Sequence, residues 1–183
     1  LLPEKGSLGD QIANFFDSLR EVAAAPSELA PRAVAIEQGK ALAQGFNTYA
    51  QRVEELKDGI KSVVSDSMIS VNMLSQQLAD VNGRILATGQ SGQSPNSIFD
   101  LRDRVINDLS KLVDLTVDYQ NRGVANIRLG GSGVGPILVE GKFARSIDFE
   151  ETVSGLQPVV LSSGARRATN QITAGMVAGL SDA

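Results

Sequence analysis

Residues 42–86, "LAQGFNTYAQRVEELKDGIKSVVSDSMISVNMLSQQLADVNGRIL", decide the fold. Leu42, Phe46, Tyr49, Val53, Leu56, Ile60, Val63, Ser67, Val71, Leu74, Leu78, Val81 and Ile85 step by four and three. That spacing keeps one stripe of a helix turned toward a partner. The alternation is regular except for two consecutive fours around Ser67, a stutter that locally unwinds a supercoil. It predicts a single helix over residues 34–86, roughly 80 Å long at 1.5 Å per residue. Gln, Glu, Lys, Ser and Asn fill the positions between, so one narrow apolar stripe needs a partner helix inside the chain or outside it. Gly45, Gly59 and Gly83 each lower helix propensity by up to about 1 kcal/mol, so packing must hold the helix together.

Working outward, Leu8, Ile12, Phe15, Phe16, Leu19 and Val22 share a helical face and predict a first helix. Pro26 and Pro31 interrupt it, and Ser27 followed by Glu28 reads as a new capped start. On the other side, "ATGQSGQSPN" at 87–96 is a polar Gly/Ser/Pro loop. Ile98, Leu101, Val105, Leu109, Leu112 and Val113 then give an amphipathic helix suited to packing back, antiparallel, on the long one. After residue 113 the hydrophobic period changes from 3.6 to 2. "LTVDYQ", "VANIRLG" and "PILVEG" read as strands, with "NRG" as a hairpin turn, and "SIDFEETV" and "QPVVLSS" as further short strands. The fold class is therefore α+β. A long antiparallel helical bundle, coiled-coil-like, is expected over residues 1–113, and a small antiparallel β domain over 114–183.

Composition narrows the function. The chain has 183 residues, a formal charge of −4, 42% hydrophobic residues and only 4% aromatics. This suits a core of Leu, Val, Ile and Ala, and offers no concentrated basic face for nucleic acid. "GARRATN" places Arg166 and Arg167 in what reads as a solvated turn. Histidine and cysteine are both absent, which removes zinc sites and Cys or Ser-His nucleophiles. No apolar run reaches the eighteen or so residues of a membrane span. "GGSGVGP" at 130–136 has the wrong spacing for a phosphate loop, and Pro136 and a strand follow it where a helix should begin. Asp114, Asp118, Asp148, Glu150 and Glu151 are the carboxylates that could meet as acid and base, but no clustered motif joins them. No catalytic, cofactor-binding or metal-ligating residue is expected.

"SPNSIFDLRDRV", residues 94–105, is the remaining charged cluster. Ser94 or Asn96 fits an N-cap, with Asp100 and Asp103 in or just after the first turn, where the helix dipole favours anions. Arg104 and Asp108 are spaced to pair on the surface. A capped helix accounts for these charges, but not for Arg102 between two aspartates.

"SPNSIFDLRDRVINDLSKLVDLTVDYQNRG" resembles a segment of the flagellar hook-associated protein FlgK family, through Asn96, Asp100, Arg102, Asp103, Leu109 and Ser110. "NFFDSLREVAAAPSELAPRAVAIEQGKALAQGFN" resembles the family's helix, proline break and arginine through Phe15, Phe16, Leu19, Pro26 and Arg32. "SVNMLSQQLADVNGRI" resembles its paired-asparagine stretch through Asn72, Leu74, Leu78, Asn82 and Ile85. In order, these cover about residues 13–123. "ITAGMVAGL" resembles the return from a β domain toward a C-terminal helix. The resemblance implies a non-enzymatic structural subunit at the hook–filament junction of the bacterial flagellum. It would act by subunit packing with other axial proteins, be served by an export chaperone, and lie outside the cell after export without a cleaved signal peptide. It marks Asn96, Asp100, Arg102, Asp103, Asn72, Asn82 and Arg32 as structural rather than ligand-binding. The family's terminal helices have no counterpart here, so a central fragment, monomeric or weakly dimeric by itself, is expected. The alternative is a coiled-coil scaffold module that engages a partner helix.

Overall fold

The computed structural model describes residues 6–88, 96–152, 155–162, 165–169 and 172. Ser94, most of the 87–96 loop, and the "ITAGMVAGL" segment beyond Ile172 lie outside the described residues. The chain divides into two compact units, Leu1–Gly59 and Ile60–Ala183. Helix α2, Leu29–Thr88, belongs to both.

In the first unit, α1 spans Leu8–Ala24. Ser7 caps it with Oγ accepting from Asp10 N at 3.2 Å, while Asp10 Oδ2 accepts from Gly6 N at 3.0 Å. This reciprocal arrangement satisfies donors that a helix start leaves orphaned. Glu28 precedes α2, whose first turn holds Pro31, where a missing N–H costs nothing. The Arg32 guanidinium donates to the Pro26 carbonyl and ties the break to the new helix. The Gln11 side chain of α1 reaches over α2, with Oε1 2.0 Å from where a Cβ on Gly45 would stand. The core of this unit is thin. Among its described residues, Ala35 is the buried hydrophobic side chain and Ser18 the buried polar one. Phe46, Tyr49, Val53 and Leu56 are exposed, although the seam pattern runs through all four. Over this part of the stripe α1 leaves the seam uncovered.

The second unit holds the main core. From Ser67 onward the stripe is covered, with Val71, Leu78, Val81 and Ile85 all at 2% exposure or less. Helix α3, Asn96–Leu112, supplies Val105, Ile106 and Leu109 to the cluster containing Val71 and Leu78, and Ile98 to the one containing Val81 and Ile85. It thus runs back along α2. Among the described residues seven strands follow: β1 Leu115–Tyr119, β2 Ala125–Leu129, β3 Ile137–Glu140, β4 Phe143–Ala144, β5 Ser146–Thr152, β6 Gly155–Ser162 and β7 Ala165–Ala168. They form two antiparallel sheets, ordered β1-β2-β3-β4 and β5-β6-β7. In the first sheet, Leu115↔Leu129, Val117↔Ile127 and Tyr119↔Ala125 share a face, and β2 buries Ala125, Ile127 and Leu129 completely. These residues, with Leu138, Val139, Ile147 and Val160, share the helices' cluster. The change of period at residue 113 therefore marks a change of local structure inside one packing unit. The packing units themselves divide at Gly59 and Ile60.

One detail differs from the sequence expectation, and one within an expected strand is unusual. Arg166 lies on strand β7, not in a turn, and reaches Glu150 (2.9 Å) and Asp148 (3.6 Å) on β5. Pro158 sits within the middle strand of the second sheet. Its carbonyl accepts from Thr169 N at 2.9 Å, just past the end of β7, so the donor it lacks falls where the ladder is ending.

Candidate functional site

The polar residues that stand out in the second unit converge on backbone. Asn82, fully buried on α2, donates Nδ2–H to the carbonyls of Ala125 and Gly141, both at 2.8 Å. Its Oδ1 accepts from Ala125 N at 3.0 Å. β2 and β3 are paired at Ile127↔Val139, but β3 ends at Glu140, so Ala125 and Gly141 have no full ladder partners. The carboxamide, which has the donor and acceptor of a peptide group, fills that gap. Asn126 Oδ1 takes the remaining Gly141 N–H at 2.8 Å.

Asn72 repeats the arrangement ten residues earlier on the same helix. It donates to the Ile147 carbonyl at 2.9 Å and accepts from Ile147 N at 2.8 Å. Ile147 pairs with Val160 on β6, and Asn72 takes the peptide groups it turns the other way. Helix α2 is thereby fastened to one strand of each sheet. Ser67, in the covered stripe, and the buried Ser75 beside it are satisfied within the helix by the Val63 and Val71 carbonyls at 2.8 and 2.7 Å.

Arg102 forms a third clamp. Its guanidinium lies over the Phe99 ring at 5.1 Å and the Tyr119 ring at 4.8 Å. Nη1 donates to the Gly123 carbonyl at 2.5 Å, and Nε to Asp103 Oδ1 at 2.8 Å. The side chain is 11% exposed, so its charge is both paired and stacked where water is scarce. The hairpin it grips is turned by positive φ at Arg122 (66°) and Gly123 (82°). A Cβ at Gly123 would lie 2.8 Å from Phe99 Cε1 and 3.0 Å from Arg102 Nη1, so both conformation and space require glycine there.

The other residues of the 94–105 cluster play smaller parts. Asn96 is the exposed first residue of α3. Asp100 and Asp103 fall beyond the first turn, where the helix dipole gives little, and Asp103 serves Arg102 instead. Asp108 pairs with Lys111 at 2.7 Å rather than with Arg104. The carboxylates considered for catalysis are dispersed. Asp148 and Glu150 hold Arg166, Glu151 holds Lys61 at 2.9 Å, and Asp118 accepts from Gln120 at 2.6 Å. Among the described residues no group of three or more acidic side chains could hold a metal ion, and no helix is long and apolar enough to cross a membrane. The glycine loop at 130–136 is closed on itself: Leu129 N donates to Pro136 O at 3.0 Å, and Thr116 Oγ1 to Gly130 O at 2.8 Å. Residue spacing gave no sign of the Phe99–Arg102–Tyr119 stack. The one available signal was an arginine three residues after a phenylalanine, leading toward a hairpin with N-R-G.

Such a site belongs to a packing module, in which polar side chains join helix to sheet. A sequence-family profile described as "Flagellar hook-associated protein FlgK helical domain" matches residues 1–183. The chain belongs to this FlgK family and carries its helical domain. It is 29% identical over 120 residues to "Flagellar hook-associated protein 1" of Bacillus subtilis, covering 66% of this chain and 24% of that protein. Against the protein of that name from Salmonella typhimurium, identity is 28% over 149 residues, covering 80% of this chain and 26% of the relative. The chain thus spans about a quarter of the length of these relatives. In structure it is similar to "the flagellar hook junction protein FlgK from Burkholderia pseudomallei", with a TM-score of 0.84 at 24% identity over 96% of this chain and 32% of that one. That likeness supports the α+β fold, a long helix followed by small antiparallel sheets.

Proposed function

We propose that the chain is a structural, non-enzymatic segment of a hook-associated protein at the junction of flagellar hook and filament. The observation that carries this reading is the family match along the whole chain, residues 1–183. The geometry agrees with it, because Asn72, Asn82 and Arg102 are committed to backbone groups and rings of the same chain. On this reading the seven motif residues Arg32, Asn72, Asn82, Asn96, Asp100, Arg102 and Asp103 hold the domain's shape. The partners are neighbouring axial proteins of the flagellum, with an export chaperone before assembly. The protein works outside the cell and leaves through the flagellar export channel without a cleaved leader. A scaffold module for an unrelated partner helix has no comparable support.

The test is a domain exchange. The corresponding segment of a hook-associated protein in a motile bacterium is replaced by these residues. Motility on soft agar and filaments attached to hooks are the expected result. Stable, exported chimera with bare hooks would overturn the junction role. A chimera that is not exported is compared with one carrying Arg104→Ala, a surface change, and with the unmodified host protein; export of both of these but not of the exchanged segment also counts against the proposal.

A further inference from the structure

We infer that α2 is built to open locally around Gly59, so that the helix can bend there. Residues 46–59 are exposed without interruption. Upstream, α1 lies against Gly45 through Gln11. Downstream, Val64, Met68 and Val71 are 2%, 3% and 0% exposed, and Lys61 is tied to Glu151 at 2.9 Å. Between these anchorages the helix has little besides its own hydrogen bonds. An unpacked helical stretch of this length is marginal in water.

Gly59 sits at the downstream limit of the exposed stretch, where the two compact units divide. A Cβ there would meet nothing within 4 Å, whereas one at Gly45 would strike Gln11 at 2.0 Å. At 45 a Cβ would displace only the end of the Gln11 side chain, and at 59 packing gives no reason for glycine at all. What remains is the effect on the backbone, since glycine is the poorest helix former after proline. Local support is weak: Lys57 and Glu54 pair at 3.4 Å with both side chains more than half exposed. Few buried contacts, exposed hydrogen bonds and a glycine are the physical conditions for local opening below the global unfolding free energy.

Hydrogen exchange of the 183-residue chain tests this directly. Amides at residues 54–61 are expected to exchange much faster than those at 71–85 of the same helix. Gly59→Ala is expected to slow residues 54–61 by about fivefold, the factor that corresponds to the glycine–alanine difference in helix propensity. Gly83→Ala, where the added carbon would meet Lys142 Cβ at 3.8 Å, is expected to leave residues 54–61 unchanged. A second readout uses the absence of cysteine. Spin labels on Gln51→Cys and Met73→Cys, about 33 Å apart along an ideal helix, are expected to give a broad distance distribution that narrows with Gly59→Ala. Equal protection of 54–61 and 71–85, or a Gly59→Ala change that alters neither exchange nor distribution width, would overturn the inference.

Discussion

At the residue scale, Asn82 shows how one side chain can stand in for a piece of strand. With Ala in its place, the buried N–H and carbonyl of Ala125 and the part-buried carbonyl of Gly141 would be left without that partner, a loss of about 3 kcal/mol. Chemical denaturation of Asn82→Ala checks this. Asn82→Asp should behave differently with pH, because it points a carboxyl at two carbonyl oxygens in a buried site. Burial and those oxygens raise that carboxyl's folded pKa above its unfolded value of about 4. Stability is then best retained below the unfolded value and is lost as pH rises toward the folded one. A variant equally stable at pH 4 and 7 would contradict the geometry. Arg102→Ala is expected to cost about 2 kcal/mol, and Arg102→Lys to recover only part, since an ammonium cannot stack flat between two rings while bonding Gly123 and Asp103. Thermal melts separate the three proteins. Little of this was legible beforehand. Asn72 and Asn82 flank seam positions, and periodicity says nothing of bonds to backbone 75 and 43 residues away.

At the element scale, hydrophobic period was a sound guide to type and a poor one to cover. The four-three stripe gave the long helix, and the change to period two gave most of the strands. Strand β4 has two residues, too few for any period, and Arg166 of β7 reads as part of a turn because its partners Asp148 and Glu150 lie on another strand. Nor does a stripe reveal which of its stretches is covered. Leu78 and Leu56 both lie on the seam, yet they are 0% and 67% exposed. Leu78→Ala is therefore expected to cost 2–5 kcal/mol, on the order seen for buried leucines, and Leu56→Ala about 0.5 kcal/mol or less. Similar losses for both in denaturant titrations would mean that the stripe at Leu56 is packed in solution.

At the scale of the whole molecule, the uncovered side chains set the expected association state. Phe46, Tyr49, Val53 and Leu56 lie on one helix and are 39–67% exposed. A stable interface takes roughly 800 Å² per partner, about 20–30 residues a side, against these four. The net charge of −4 also opposes self-association. A monomer mass by sedimentation at micromolar concentration is expected; closed rings or fibres would locate an assembly surface within these residues. The bond from Asn72 to Ile147 has a further consequence between molecules. An open sheet margin is a template on which a second chain can add a strand, the first step toward amyloid. Asn72 occupies the outward peptide groups of Ile147, and Asp148 Oδ1 takes the next outward N–H, that of Phe149, at 2.8 Å. At Ile147 and at the Phe149 N–H that margin is already occupied. Asn72→Ala should reopen it, and concentrated, agitated samples should then bind thioflavin T sooner than the parent chain.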